Sequence, residues 1–194
     1  MVHLKLEPAS PVPIYLQIIE QEIRRMERCL QTFLDFARPP KPERRRTELV
    51  SIIERTFELI EGRARKQQVR LQLLPAAEPM TVDVDPEQVH QLLVNLALNA
   101  LDAMPAGGAL TVELARRGDG HIEIRVLDTG PGISPQILPR LFEPFVSSKE
   151  TGIGLGLVVS RRIAEEHGGD LSAYNRLEGG ACFTVSLPAP ENAH

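Results

Sequence analysis

The chain has 194 residues, 42% of them hydrophobic and 25% charged, with a formal net charge of −4. That is enough apolar material to build a core, and the length fits one ordinary domain plus an additional segment. The acidic balance gives nucleic acid no electrostatic hold, so no nucleic-acid partner is expected. Cys29 and Cys182 stand far apart without metal-ligand spacing. They read as reduced thiols of a cytoplasmic protein. No signal peptide opens the chain, and no apolar run is long enough for a membrane segment.

Pro8 and Pro11 bracket a turn, and Ser10 can cap the helix that follows. Val12, Leu16, Ile19, Ile23, Met26, Leu30, Phe33 and Ala37 then alternate spacings of four and three. This heptad seam over 12–37 predicts a bundle or coiled coil, and with it self-association as a homodimer. Arg38–Arg46 carries three prolines and a basic run, and reads as a linker. The expected organisation is therefore 1–46, helical region and linker, and 47–194, a second domain.

From Thr47 an amphipathic helix is expected, with Val50, Ile53, Phe57, Ile60 and Ala64 inward, ending near Gln68. Strand-like runs follow at 69–74 and 80–84. Next comes a helix over 85–104. Asp85 can cap its free amides, Pro86 fits its first turn, and Gln88 stands where a capping box places its amide. Val89, Leu92, Leu93, Leu96 and Ala100 form its core stripe, interrupted by Asn95 and Asn99 one turn apart. One buried asparagine is ordinarily a satisfied core amide. Two in register call for a ligand or a metal. Strands at 109–116 and 121–128 flank the turn Gly118–Gly120, a glycine- and proline-rich loop fills 129–154, and Leu155–His167 is helical. Strands near 170–175 and 181–187 close an α+β layer arrangement with helices on one face of a mixed sheet.

Two glycine motifs carry chemistry. Asp128-Thr129-Gly130-Pro131-Gly132-Ile133 leaves a strand end, where a carboxylate can accept from an amine while bare backbone approaches a flat ring. The plainer alternative is a turn capped by Asp128. Thr151-Gly152-Ile153-Gly154-Leu155-Gly156 opens a helix, where free amides and the helix dipole favour an anion. It is neither a dinucleotide fingerprint nor a Walker loop. Lys149 lies within reach of such an anion, although a loop lysine is most often just solvated.

Taken together, the asparagine helix, DTGPGI, LFEPF and GIGLGL, in that order, resemble the ATP-binding catalytic domain of sensor histidine kinases. NLALNALDAM and EEHGGDL are similar to the nitrogen-regulation class, and the heptad helix ending LDFARP to the second helix of a dimerisation hairpin. That family belongs to the GHKL superfamily, with DNA gyrase, ninety-kilodalton heat-shock chaperones and mismatch-repair ATPases. The resemblance implies the two-layer α/β sandwich of the Bergerat type. It implies ATP and Mg²⁺ as cofactors and a response regulator receiver domain as partner. Asn99 would coordinate Mg²⁺, with Asn95 beside the phosphates. Asp128 would accept from the adenine amine, and Gly130, Gly132 and Ile133 would lie along the base. Residues 134–151 would form a lid held by Phe142 and Phe145. Lys149, Thr151, Gly152, Gly154, Leu155 and Gly156 would surround the phosphates.

Two departures qualify the resemblance. Asp102 stands where some members carry a cation three residues after the metal asparagine. None of His3, His90, His121, His167 and His194 has the context of the family's phosphorylated histidine, so the chain is expected either to be truncated within the hairpin or to lack it naturally. The hydrolytic relatives place a glutamate base where Asn95 stands, which favours transfer over hydrolysis. A hydrolytic ATPase and a non-catalytic, regulator-docking scaffold are the competing readings.

Overall fold

The computed structural model describes residues 15, 16, 19, 23, 26, 33, 41–74, 78–147 and 154–190. The chain forms two compact units, Met1–Pro39 and Pro40–His194. In the first, Tyr15, Leu16, Ile19, Ile23, Met26 and Phe33 are helical and exposed.

The second unit runs β1 (Arg45–Glu48), α1 (Leu49–Lys66), β2 (Val69–Leu73), β3 (Thr81–Val84), α2 (Pro86–Ala103), β4 (Gly108–Arg116), β5 (His121–Asp128), α3 (Gly156–Glu166), β6 (Asp170–Asn175) and β7 (Ala181–Pro188). Five strands form a mixed sheet in the order β2-β4-β5-β7-β6, parallel only between β2 and β4. Every second residue faces the helices. Val126 stands opposite Phe183, Ile124 opposite Val185 and Ile122 opposite Leu187, all buried. The alternation expected for 109–116 and 121–128 is thus a one-sided sheet, with α1, α2 and α3 covering one face. That is the two-layer arrangement read from the sequence.

The start of the unit differs from expectation. Thr47 belongs to β1, not to a helix, and β1 pairs antiparallel with β3 apart from the main sheet. Helix α1 therefore starts at Leu49, whose amide donates to Met80 O at 2.9 Å. Its buried stripe is Leu49, Ile52, Ile53, Thr56, Ile60 and Ala64, while Val50 and Phe57 are only half-buried. Buried Thr56 satisfies its hydroxyl on Ile52 O at 2.8 Å, one turn back. Residues 43–46, expected in the linker, are bound to the second unit. The Glu43 amide donates to Asp85 Oδ2 at 2.9 Å, and an Arg44 guanidinium nitrogen donates to Glu166 O.

Candidate functional site

Helix α2 is the scaffold of the site. Asp85 caps it, with Oδ1 accepting from the Glu87 amide at 2.9 Å and the Gln88 amide at 3.2 Å. Burial opposes ionisation of Asp85. The amides of Glu43, Gln88 and Glu87 outweigh it and hold the carboxyl below its usual range. The second arm of the expected capping box is not made, because the Asp85 amide donates to His167 Nε2 at 3.0 Å. His167 is buried, and its Nδ1 lies 2.7 Å from Ile163 O. An Nδ1–H tautomer satisfies both contacts. The end of α3 is thereby fastened to the start of α2.

Asn95, Asn99 and Ala103 follow at i, i+4 and i+8, one row along α2. The rise of an α-helix makes that row about 12 Å long. At one end Asn95 Nδ2 donates to Ser160 Oγ on α3 at 2.8 Å. Its Oδ1 would lie 2.5 Å from a Cβ at Gly156, so any side chain where α3 begins would displace the Asn95 amide. At the other end, Ala103 closes on Gly130, where a Cβ would stand 3.1 Å from both the Ala103 methyl and its carbonyl. Asn99 lies between, half-buried.

Asp128 ends β5 and is 3% exposed. Its Oδ1 accepts from the Gly130 amide at 2.8 Å and the Ala181 amide at 3.2 Å. Its Oδ2 has no hydrogen bond among the described residues. Burial pushes the carboxyl above its usual range. The Gly130 and Ala181 amides and the Arg176 charge pull it partly back. One oxygen thus caps the turn, as the plainer reading has it, and the other remains to accept from a ligand. Gly132 has φ +80° and continues the loop against β6.

A row about 12 Å long therefore joins a carboxylate-and-glycine loop to the glycine start of a helix. The family described as histidine kinase-, DNA gyrase B- and HSP90-like ATPase matches residues 84–191, more than half of the chain. The chain belongs to this family. Sporulation kinase D of Bacillus subtilis is 37% identical over 177 residues, covering 90% of this chain and 35% of its own length. Sensor protein FixL of Bradyrhizobium diazoefficiens is 36% identical over 190 residues, covering 95% and 37%. The catalytic domain of histidine kinase ThkA superposes with a TM-score of 0.70 at 28% identity, over 76% of this chain and 96% of that one. ThkA in complex with response regulator protein TrrA gives 0.79 at 25% identity, over 97% and 55%. The chain spans between about a quarter and somewhat over a third of the length of the curated relatives it matches.

In this ATPase-family fold, Asn95, Asn99, Asp128, Gly130, Gly132 and Ile133 and the α3 start at Leu155 and Gly156 fall on the two loops and the helix row just described. Gly154 has φ +72°, and its carbonyl accepts from the Phe145 amide at 3.2 Å. Lys149, Thr151 and Gly152 lie outside the described residues. The two aromatics expected to hold a lid differ from each other. Phe142 is half-buried with the Arg161 guanidinium 5.4 Å from its ring centroid, whereas Phe145 is 66% exposed with φ +65°. Asp102, in the place of the cation, pairs with Arg63 of α1. The sequence reading of this ATPase fold missed Ser160, Asn175, Arg176 and Ala181. Each acts through a contact with residues far away in the chain, so no local spacing marks it.

Proposed function

We propose that residues 47–194 form the ATP-binding kinase core of a two-component sensor histidine kinase. Residues 1–46 then supply part of its dimerisation helices and the linker. The observation that carries the reading is the Asn95–Asn99–Ala103 row joining the Asp128 loop to the start of α3. Its length lets one ligand meet both ends. At the loop, Asp128 Oδ2 accepts from the exocyclic amine of adenine, while Gly130, Gly132 and Ile133 offer backbone to the ring. At the helix, the amides around Gly154, Leu155 and Gly156 meet phosphate oxygens, supported by the dipole of α3. Thr151, Gly152 and Lys149 belong to the same phosphate-binding run.

Asn99 fits Mg²⁺ through a neutral amide oxygen. Among the described residues there is no group of three or more His, Cys, Asp or Glu side chains able to hold a metal ion. The described residues therefore offer no protein cage, which suits an ion that keeps phosphate and water ligands. When bound, Mg²⁺ supplies neutralisation of phosphate charge. Asn95, held by Ser160, is an amide and cannot take a proton from water. Transfer to a histidine on a dimerisation helix, followed by relay to a response regulator receiver domain, is favoured over hydrolysis. The likeness to ThkA, solved with its response regulator, supports that partner. An ATP-dependent site of this kind works in the cytoplasm, where ATP is. No helix among the described residues is long and apolar enough to cross a membrane.

Calorimetry on Asn99→Ala tests the site. Mg-ATP should bind at least about tenfold more weakly, with the thermal midpoint little changed. Unchanged affinity in the folded variant removes Asn99 from the site. Radiolabelled ATP, with a separate hairpin carrying an acceptor histidine, tests the reaction. Acid-labile, alkali-stable label on the hairpin is expected, and nucleotide binding with no label on it would select the scaffold reading.

A further inference from the structure

Asn175, the last residue of β6, and Arg176 after it hold both ends of the Asp128 loop. Asn175 Oδ1 accepts from the Ile133 amide at 2.7 Å, and Asn175 Nδ2 donates to Ile133 O at 2.7 Å. One side chain thus spends its oxygen and its nitrogen on a single loop residue, as a paired strand would. Arg176 Nη1 donates to Asp128 O at 2.9 Å. The return arm of the same hairpin adds the Ala181 amide on Asp128 Oδ1. The approach is close enough to demand glycine on both sides. A Cβ at Gly180 (φ +85°) would stand 2.0 Å from Asp128 O, and one at Gly132 would stand 2.8 Å from Asn175 Oδ1.

We propose that Asn175 and Arg176 are positioning residues for nucleobase selection. Arg176 fixes the main chain from which the Asp128 carboxylate springs. Asn175 fixes the far end of the loop, and hence the plane of Gly130–Ile133. Together they set the aim of Asp128 Oδ2. The inference rests on the reading that Asp128 accepts from adenine. A hydrogen-bonding reader tolerates little displacement, since the bond weakens steeply with angle and is lost within about half an ångström of its ordinary length. Phosphate binding at α3 does not pass through these contacts. Loosening the loop should therefore cost base discrimination and spare the triphosphate.

The test titrates ATP, GTP and inorganic tripolyphosphate, each with Mg²⁺, into the whole chain and into Asn175→Ala, Arg176→Ala and Arg176→Lys. Asn175→Ala and Arg176→Ala should weaken ATP about tenfold, leave tripolyphosphate nearly unchanged and shrink the ATP-to-GTP preference by a similar factor. Arg176→Lys keeps one donor for Asp128 O and should restore most of the preference. In Asn175→Ala, the Ile133 amide should exchange faster with solvent. Equal losses for ATP and tripolyphosphate, or an intact preference in both alanine variants, would overturn the proposal. If Asn175→Ala does not fold, Asn175→Ser is judged by the same criteria. A wild type with no preference for ATP over GTP would instead defeat the adenine reading of Asp128, and this inference with it. A wild-type preference that survives in the variants defeats the inference alone.

Discussion

Asp128 is pulled two ways. Its Oδ1 accepts from two amides, which favours the charged carboxylate, while its burial disfavours that charge. The sign of the effect follows from the raised carboxyl. Ionised Asp128 costs the folded state free energy. The stabilising effect of its proton is present below the unfolded value and lost as pH rises through the folded one. ATP affinity should therefore fall on acidification at a higher pH than an ordinary aspartate would give, and titrations along a pH series check this. Asp128→Asn keeps an oxygen for the Gly130 and Ala181 amides and removes the cost of the charge. At neutral pH it should be at least as stable as the wild type, yet bind ATP more weakly and prefer it less over GTP. A variant that loses stability and keeps its ATP preference would assign Asp128 to the turn alone.

Helix α2 is anchored at its start because the residue that caps it is tied down from three directions. The Glu43 amide, the amides of its own first turn and the ring of His167 all converge on Asp85. Asp85→Ala should cost about 0.5–2 kcal/mol, the range of a lost helix cap. The lowered carboxyl contributes stability above its unfolded value, and this is lost as pH falls through the folded one. The deficit of the variant should thus be full at neutral pH and shrink in acid, as urea melts at two pH values would reveal. A deficit independent of pH would mean that packing, not the carboxylate, is what was lost. The cap and stripe of this helix were legible in the sequence, as was the alternation of β4 and β5, because each is written in neighbouring residues. Strand β1 was not. Four polar residues, RRTE, carry no alternation, and only β3 makes them a strand. The loop glycines were legible as glycines, but what crowds them is a side chain from another element, Asn175 at Gly132, where φ is also +80°, and Asn95 at Gly156.

At the scale of the whole molecule, the first unit poses a solvation problem. Leu16, Ile19, Ile23, Met26 and Phe33 are helical, lie on one heptad seam and are each about half exposed or more. Covering one large apolar side chain is worth about 1.5–3 kcal/mol. The chain should accordingly sediment as a dimer, and Ile19→Glu with Ile23→Glu should shift it to monomer while leaving Mg-ATP affinity intact. A wild type that is monomeric at micromolar concentration would refute the seam. The hydrogen bonds of the second unit carry a different consequence, one of timing. Asn175 bonds to a residue 42 positions back, Ser160 to one 65 back, and His167 to one 82 back. Contacts of such long sequence separation form late in folding, after a large loop-closure cost. On a ribosome, Asp128 emerges well before Ala181, the donor that completes its environment. A nascent chain halted ahead of β6 carries every residue of the Asp128 loop and lacks the bonds from Asn175, Arg176 and Ala181 that set it. The geometry of the Asp128 loop therefore waits on β7, and a truncation ahead of Ala181 should leave that loop unset even where β5 has formed.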